Sequence, residues 1–396
     1  MNGFFRKHRR SKLMVAILSL SLLTVMAGAA VAPALDLIAA HFRGTDPVLV
    51  QMIISIPALF IFLTNMFFQK LCRRFRAKTL VLAGLLLYVV FGSIAGIFSN
   101  IWLILLCRAL VGVGVGILMP MSTGLIAFYF TKDKQDVLMG YASAMNMMGG
   151  VVAMLIVGGL LTISWRASFL VYLLGLGSML LVWKWMPNEY IGDRSRGGMA
   201  CNGDPAETSR PSAFREYYPF IVGMFLLMTV FFVYPADFAL ETAEDGIIHR
   251  HFIAFIMAAM DILGFFGGMM YVHVRKIVRG GTKLVAPILF LVGYAFLEFF
   301  PGWCGTVGGS MLVGFANGVG VPFIMTTAST LAGKDAPTRV MPRLSMALYL
   351  AQFLAPFLIA VCKGCAEVAG VDLSSYGVAM GIAILLALWS AMTIKN

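Results

Sequence analysis

The chain has 396 residues, 60% of them hydrophobic and only 12% charged. A soluble domain carries about 25% charged residues to cover its surface, so this composition excludes a soluble globular protein. The formal net charge of +12 would suit a nucleic-acid partner, but the basic residues cluster in loops between apolar stretches, which excludes that reading.

Apolar segments of about 20 residues, the thickness of a bilayer core, repeat along the whole length. There are twelve: 13–34, 47–69, 79–98, 101–130, 136–162, 165–186, 217–236, 251–272, 283–300, 303–332, 342–362 and 374–394. Several must tilt or protrude. The first follows "RKHRR" and closes on "AGAAVAPA", like a signal peptide. It exceeds the roughly 7–15 residues of a signal core, however, and reads as an anchor. With the N-terminus inside, 25 of the 30 Lys and Arg fall in inner regions, four (Arg43, Arg166, Arg250, Lys363) in outer ones, and Arg108 within a span. That asymmetry places both termini in the cytoplasm, and the inner excess also attracts anionic lipid headgroups.

In chain order, Asp36 follows Pro33 at the outer end of span one and is expected, like Asp237 and Glu241 below, in a solvated outer loop contributing to an outer gate. The basic loop after span two, expected to form the inner gate loop, holds Arg73, Arg74 and Arg76. Span four contains "LCRALVGVGVGILMP" (106–120), where Arg108 lies roughly 10 Å inside with no acid beside it. The glycines of 112–116 have no preceding strand and no following Lys-Ser/Thr, so they read as close helix contacts and not as a phosphate loop. Gly149, Gly150, Gly158 and Gly159 of span five and "GFFGG" (264–268) of span eight read likewise. These two spans are expected to face each other across the centre. Asn146 (span five), Asn317 (span ten), Tyr349 and Gln352 (span eleven) mark either a cavity or interhelical hydrogen bonds.

Asp237 and Glu241 follow Pro235 where span seven meets the outer surface, near Glu244, Asp245, His249 and His251. Their spacing fits no compact metal-ligand set. A solvated outer loop contributing to an outer gate is expected. Glu298 sits near an outer helix end within reach of water. Asp261 lies about ten residues from either end of span eight, near the midplane. An ionised carboxylate there costs several kcal/mol unless paired or wetted, which makes it a candidate proton carrier. Six cysteines give no disulfide framework, and Cys362 and Cys365, a C-x-x-C without other ligands nearby, read as incidental small residues.

The stretch 187–216 is the one long hydrophilic insert and reads as a cytoplasmic linker. It divides the chain into a first six-span bundle, 1–186, and a second, 217–396. A repeat joins them: "LVGVGVGILMP" (110–120) and "LVGFANGVGVP" (312–322) align at an offset of 202. The same offset carries "RR" (73–74) onto "RK" (275–276) and Arg108 onto Ser310. Two halves in the same orientation imply an axis along the membrane normal, with a substrate site near the midplane. Arg108 would then face the central cavity as a fixed positive charge. There it would bind an anionic substrate or hold a membrane acid ionised.

With these features the sequence resembles the major facilitator superfamily over essentially its whole length. "APALDLIAAHF" resembles the end of that family's first helix, "RALVGVGVGILMP" its fourth-helix motif, "SWRASFLV" its fifth-to-sixth connection and "AQFLAPFL" its eleventh helix. The family's loop between helices two and three reads Gly-x-Leu-x-Asp-Arg-x-Gly-Arg. Here "QKLCRRFRA" puts Gln69, Arg73 and Arg76 where Gly, Asp and Gly belong, so a lock built on that Asp must differ. "MLIVGG" (154–159) keeps the two glycines of the proton-driven exporters' fifth-helix motif and lacks its Gly-Pro.

The resemblance implies an all-α membrane protein of twelve helices in two halves, a secondary active transporter in the cell (inner) membrane working by alternating access. A small organic solute and a proton are the expected partners besides lipid, and the protein is expected to be monomeric. The Phe- and Met-rich spans favour efflux of an amphiphilic compound. Uptake of an organic anion, prompted by Arg108, is the alternative. A non-cycling sensor or assembly partner, prompted by the altered loop, is an alternative of another class. No nucleotide motif, nucleophile constellation or metal cluster is present in the sequence, so no enzyme activity, cofactor or metal is expected. The topology is checked at Cys201: impermeant thiol reagents are expected to label it in inside-out vesicles and not in intact cells.

Overall fold

The computed structural model describes residues 2–130, 132–189, 211–245, 248–300, 302–332, 340–370 and 373–393. Among them the chain is helical and contains no strand. Eleven stretches are long and apolar enough to cross a membrane. One of them, Phe252–Phe299, has 48 residues, ~72 Å of helix against a hydrocarbon core of about 30 Å. It holds two helices, Arg250–Val278 and Thr282–Phe299, joined by a tight turn at Arg279–Gly281, so the crossings number twelve. Arg279 makes this turn with a left-handed φ of 49°.

Local sequence explains the ends and breaks. Span four, Ile101–Tyr129, starts where the Asn100 side chain accepts from the backbone N–H of Trp102, as an N-cap should. Span six opens at Ser164, whose side chain accepts from Ala167 N–H. It runs as a 3-10 helix over Trp165–Leu174 before turning α-helical at Gly175–Trp185. Span one is interrupted: Asn2–Ala29 is followed by a 3-10 turn at Ala32–Ala34 containing Pro33, then by Leu35–His41.

The chain divides into two compact units, Met1–Ala34 with Ile56–Cys201, and Leu35–Ser55 with Asn202–Asn396. In the first, span one packs on spans four, five and six, and span three on spans four and six. In the second, span seven packs on spans ten, eleven and twelve, and span nine on spans ten and twelve. The internal pattern of one unit thus repeats in the other.

Glycines set the closest approaches. A Cβ at Gly318 or Gly314 of span ten would strike the backbone of span eight at Gly264 or Met260. Their mates Gly116 and Gly112 lie against Thr64 and Pro57 of span two. Lacking hydrophobic drive inside lipid, helices associate through such backbone proximity. The glycines of 264–268 lie against span ten of their own unit, and Gly149 of span five lies against the Leu22 carbonyl of span one. Gly318→Ala is expected to lower thermal stability in detergent, at the roughly 1–3 kcal/mol of an overpacked interior. Gly268→Ala, whose added Cβ would find its nearest atom at 3.6 Å, should leave the midpoint unchanged.

Candidate functional site

The interruption of span one creates the first polar centre. Ala30 N–H still bonds to the Met26 carbonyl at 3.0 Å, but Val31 N–H turns to Gly28 at 3.5 Å. The Ala27 carbonyl is therefore served from outside its helix. Arg108 Nη2 donates to it at 2.7 Å and the Tyr172 hydroxyl at 2.8 Å. Arg108 Nη1 also donates to the Tyr172 hydroxyl, and the Tyr172 ring meets Tyr88 edge-on at 5.1 Å. Arg108 is 0% exposed. A cation at a helix C-terminus complements the helix dipole, and Arg108 acts here as the cap of a broken helix.

The second unit holds a neutral counterpart. Tyr294 of span nine donates to the Val230 carbonyl of span seven at 2.6 Å. Its ring lies 6.0 Å from that of Tyr376, as Tyr88 lies by Tyr172. Ser310, the mate of Arg108, accepts from the Tyr234 hydroxyl at 2.8 Å.

The other residues singled out by sequence fall in several places. Asn146 accepts from the Thr24 hydroxyl at 2.6 Å, linking spans one and five. Asp237 accepts from Gln51 Nε2 at 2.5 Å. Asp36 and Asp237 are buried, 7% and 4% exposed, which corrects the expectation of a solvated loop. Span seven does not end at Pro235 but continues as Pro211–Asp245, and Asp36 lies in the first turn of Leu35–His41, where a carboxylate complements the helix N-terminus. Glu241 pairs with Lys363 at 3.4 Å and accepts from Ser375 N–H at 3.4 Å. Glu298 accepts from the Ser374 hydroxyl at 2.6 Å.

Asp261 of span eight is half-buried. Among the described residues it has neither a hydrogen-bond nor an ion-pair partner, and Tyr234 is within its electrostatic reach. Asn317 lies on span ten, packed against span eight, and its buried carbonyl oxygen has no hydrogen bond among the described residues. Tyr349 is buried and Gln352 half-buried on span eleven, which packs against span seven. At the turn after span two Arg74 and Arg76 are exposed, and Lys78 donates to the Trp183 carbonyl at 2.6 Å. The side chains of Arg73, Glu244, Asp245 and His251, and all of Cys201, lie outside the described residues. Among the described residues no group of three or more His, Cys, Asp or Glu is arranged to hold a metal ion.

Sequence reasoning missed Tyr172, Gln51 and the Ala27 carbonyl. Pro33 was the available signal for the last, since a proline shortly after a helical run announces unpaired carbonyls behind it.

Twelve membrane crossings and a repeated six-span packing define a multi-pass membrane protein of the solute-transporter class. Residues 17–360 match the family model of the Major Facilitator Superfamily, and the chain belongs to that family. Among curated proteins it is 25% identical over 270 residues to "Transcription regulatory protein OpdE" of Pseudomonas aeruginosa, covering 67% of this chain and 65% of that protein. The match therefore spans somewhat less than two thirds of the relative's length. Among solved structures, a bacterial homologue of the human lysosomal transporter Spinster aligns with a TM-score of 0.74 at 15% identity, over 97% of this chain and 95% of that one. The peptide transporter POT in complex with sulfate gives 0.75 at 14%, over 96% and 94%. The xylose transporter XylE from E. coli gives 0.71 at 12%, over 97% of each chain.

The Arg108 arrangement is tested by unfolding in detergent. Arg108→Ala is expected to lower stability by roughly 2–3 kcal/mol and Tyr172→Phe by about 1 kcal/mol. Arg108→Lys should fall between Arg108→Ala and the parent, because an ammonium keeps the charge but cannot fork between a hydroxyl and a carbonyl. An unchanged midpoint in Arg108→Ala would show that the guanidinium does not hold span one.

Proposed function

We propose that the protein is a proton-coupled secondary transporter of a small organic solute, with Asp261 as the proton-carrying group. The observation that carries this is the state of Asp261: a mid-span carboxyl, half-buried and with no hydrogen-bond or ion-pair partner among the described residues. A carboxyl in such a place is expensive to keep unless its protonation is used. Arg108 and Asn146, by contrast, are engaged in joining helices. Family membership supports solute transport, and XylE and POT are themselves named as transporters of xylose and peptides. The 31 Phe and 27 Met residues favour an amphiphilic solute moved outward, because such side chains line adaptable apolar surfaces. The charge asymmetry supports both termini in the cytoplasm.

A second reading, a transporter-like sensor that does not cycle, is favoured by one specific observation. The relative OpdE is named as a transcription regulatory protein.

Reconstituted vesicles separate the two. A transporter moves protons when a cognate solute is supplied, and a sensor binds the solute without proton movement. Asp261→Asn is expected to reduce pH-driven accumulation at least tenfold while solute exchange at equal pH continues, since the amide keeps the size of the protonated acid but releases no proton. Uphill transport at the parental rate would assign Asp261 to packing.

A further inference from the structure

Two thiols at the C-terminal end of span eleven take no part in the transport reading. Cys362 and Cys365 lie three residues apart on the helix Met341–Val368. Both are free thiols, Cys365 exposed and Cys362 half-buried. Residues so spaced share a helix face with Cβ atoms about 5–6 Å apart, whereas a disulfide needs about 3.5–4.5 Å. The gap closes if the turn tightens toward 3-10 geometry, in which positions i and i+3 eclipse.

This turn is placed to do so. The helix closes just beyond it, with Ala369 N–H on the Cys365 carbonyl at 3.2 Å. Gly370 N–H already makes a 3-10-type bond to Glu367 at 2.9 Å. A Cβ at Gly364, between the two cysteines, would meet nothing within 4 Å, so an incoming molecule has room. The same turn carries Lys363, whose Nζ is 3.4 Å from Glu241 of span seven.

We propose that Cys362 and Cys365 form a reversible dithiol–disulfide modification site, oxidised by exchange with a disulfide-bearing partner, and that closing the disulfide releases the Lys363–Glu241 tie. The exposed Cys365 thiolate attacks one sulfur of the partner's disulfide, forming a mixed disulfide and expelling one partner thiolate. The Cys362 thiolate then attacks the Cys365 sulfur and expels the second partner thiolate. Two electrons pass to the partner, and the two protons lost by the cysteines protonate its two thiolates. The outer placement of this turn, which rests on the charge asymmetry, puts it where disulfides persist.

The test uses the full chain in nanodiscs, equilibrated with oxidised or reduced glutathione, blocked with N-ethylmaleimide and digested with trypsin. Cleavage after Lys363 separates the two cysteines. The oxidised sample is expected to yield their two peptides joined by a disulfide, absent after reduction and absent in Cys362→Ser and in Cys365→Ser. The unfolding midpoint should differ by a few degrees between oxidised and reduced parent, and the difference should vanish in Cys365→Ser and in Glu241→Gln. Alkylation of both thiols in the oxidising buffer overturns the site, as does linkage to Cys304 or to a second copy. A midpoint difference that persists undiminished in Glu241→Gln overturns the coupling to the tie. Both membrane faces are open in nanodiscs, so the result is independent of orientation and of the role of Asp261.

Discussion

Inside hydrocarbon no water is available to a backbone carbonyl that its own helix does not serve, and each such group costs several kcal/mol. Span one breaks this rule at Ala27 and is rescued by two side chains from elsewhere in the chain. Arg108 comes from span four and Tyr172 from the irregular opening of span six. The interruption, the buried arginine and the 3-10 start of span six form one arrangement: the donors must reach the carbonyl, and the backbone of span six is shaped where Tyr172 delivers its hydroxyl.

The second unit shows what happens when the constraint is milder. Span seven continues as one helix through the Val230 region, so that carbonyl needs no cation, and a neutral tyrosine hydroxyl suffices. The position matching Arg108 is then free to be Ser310, which takes part in a hydroxyl chain from Tyr234 to the Thr306 carbonyl. The repeat thus conserves the placement of polar contacts between helices while their charge follows the local state of the backbone. Asp261 stands on a helix that meets the glycines of span ten; it makes no hydrogen bond in either arrangement among the described residues, and Tyr234 of the second lies within its electrostatic reach.

The twelve crossings and the two-fold repeat were legible because both are written in residue type at fixed spacing: apolar runs of bilayer length, and glycines and a proline at an offset of 202. What Arg108 touches was not legible. Two of its partners are a main-chain oxygen 81 residues away and a tyrosine 64 residues away, and a carbonyl has no signature in sequence. The sequence shows the charge and its depth, and the structure adds that two of its nitrogens serve a hydroxyl and a carbonyl near a helix end. Asp36 and Asp237 were misplaced for a related reason. Acids beside a proline look like a loop, yet Pro235 sits within a continuous helix, and Gln51 reaches Asp237 across 186 residues.

That last separation has a consequence in time. Leu35–Ser55 belongs by its contacts to the second unit although the ribosome makes it near the start. At about 5–20 residues per second, the 186 residues between Gln51 and Asp237 take roughly 10–40 s to synthesise. The donors to Ala27 arrive with span six, before span seven exists. The first bundle can therefore settle during translation, while the segment around Gln51 waits in the nascent membrane for its acceptor.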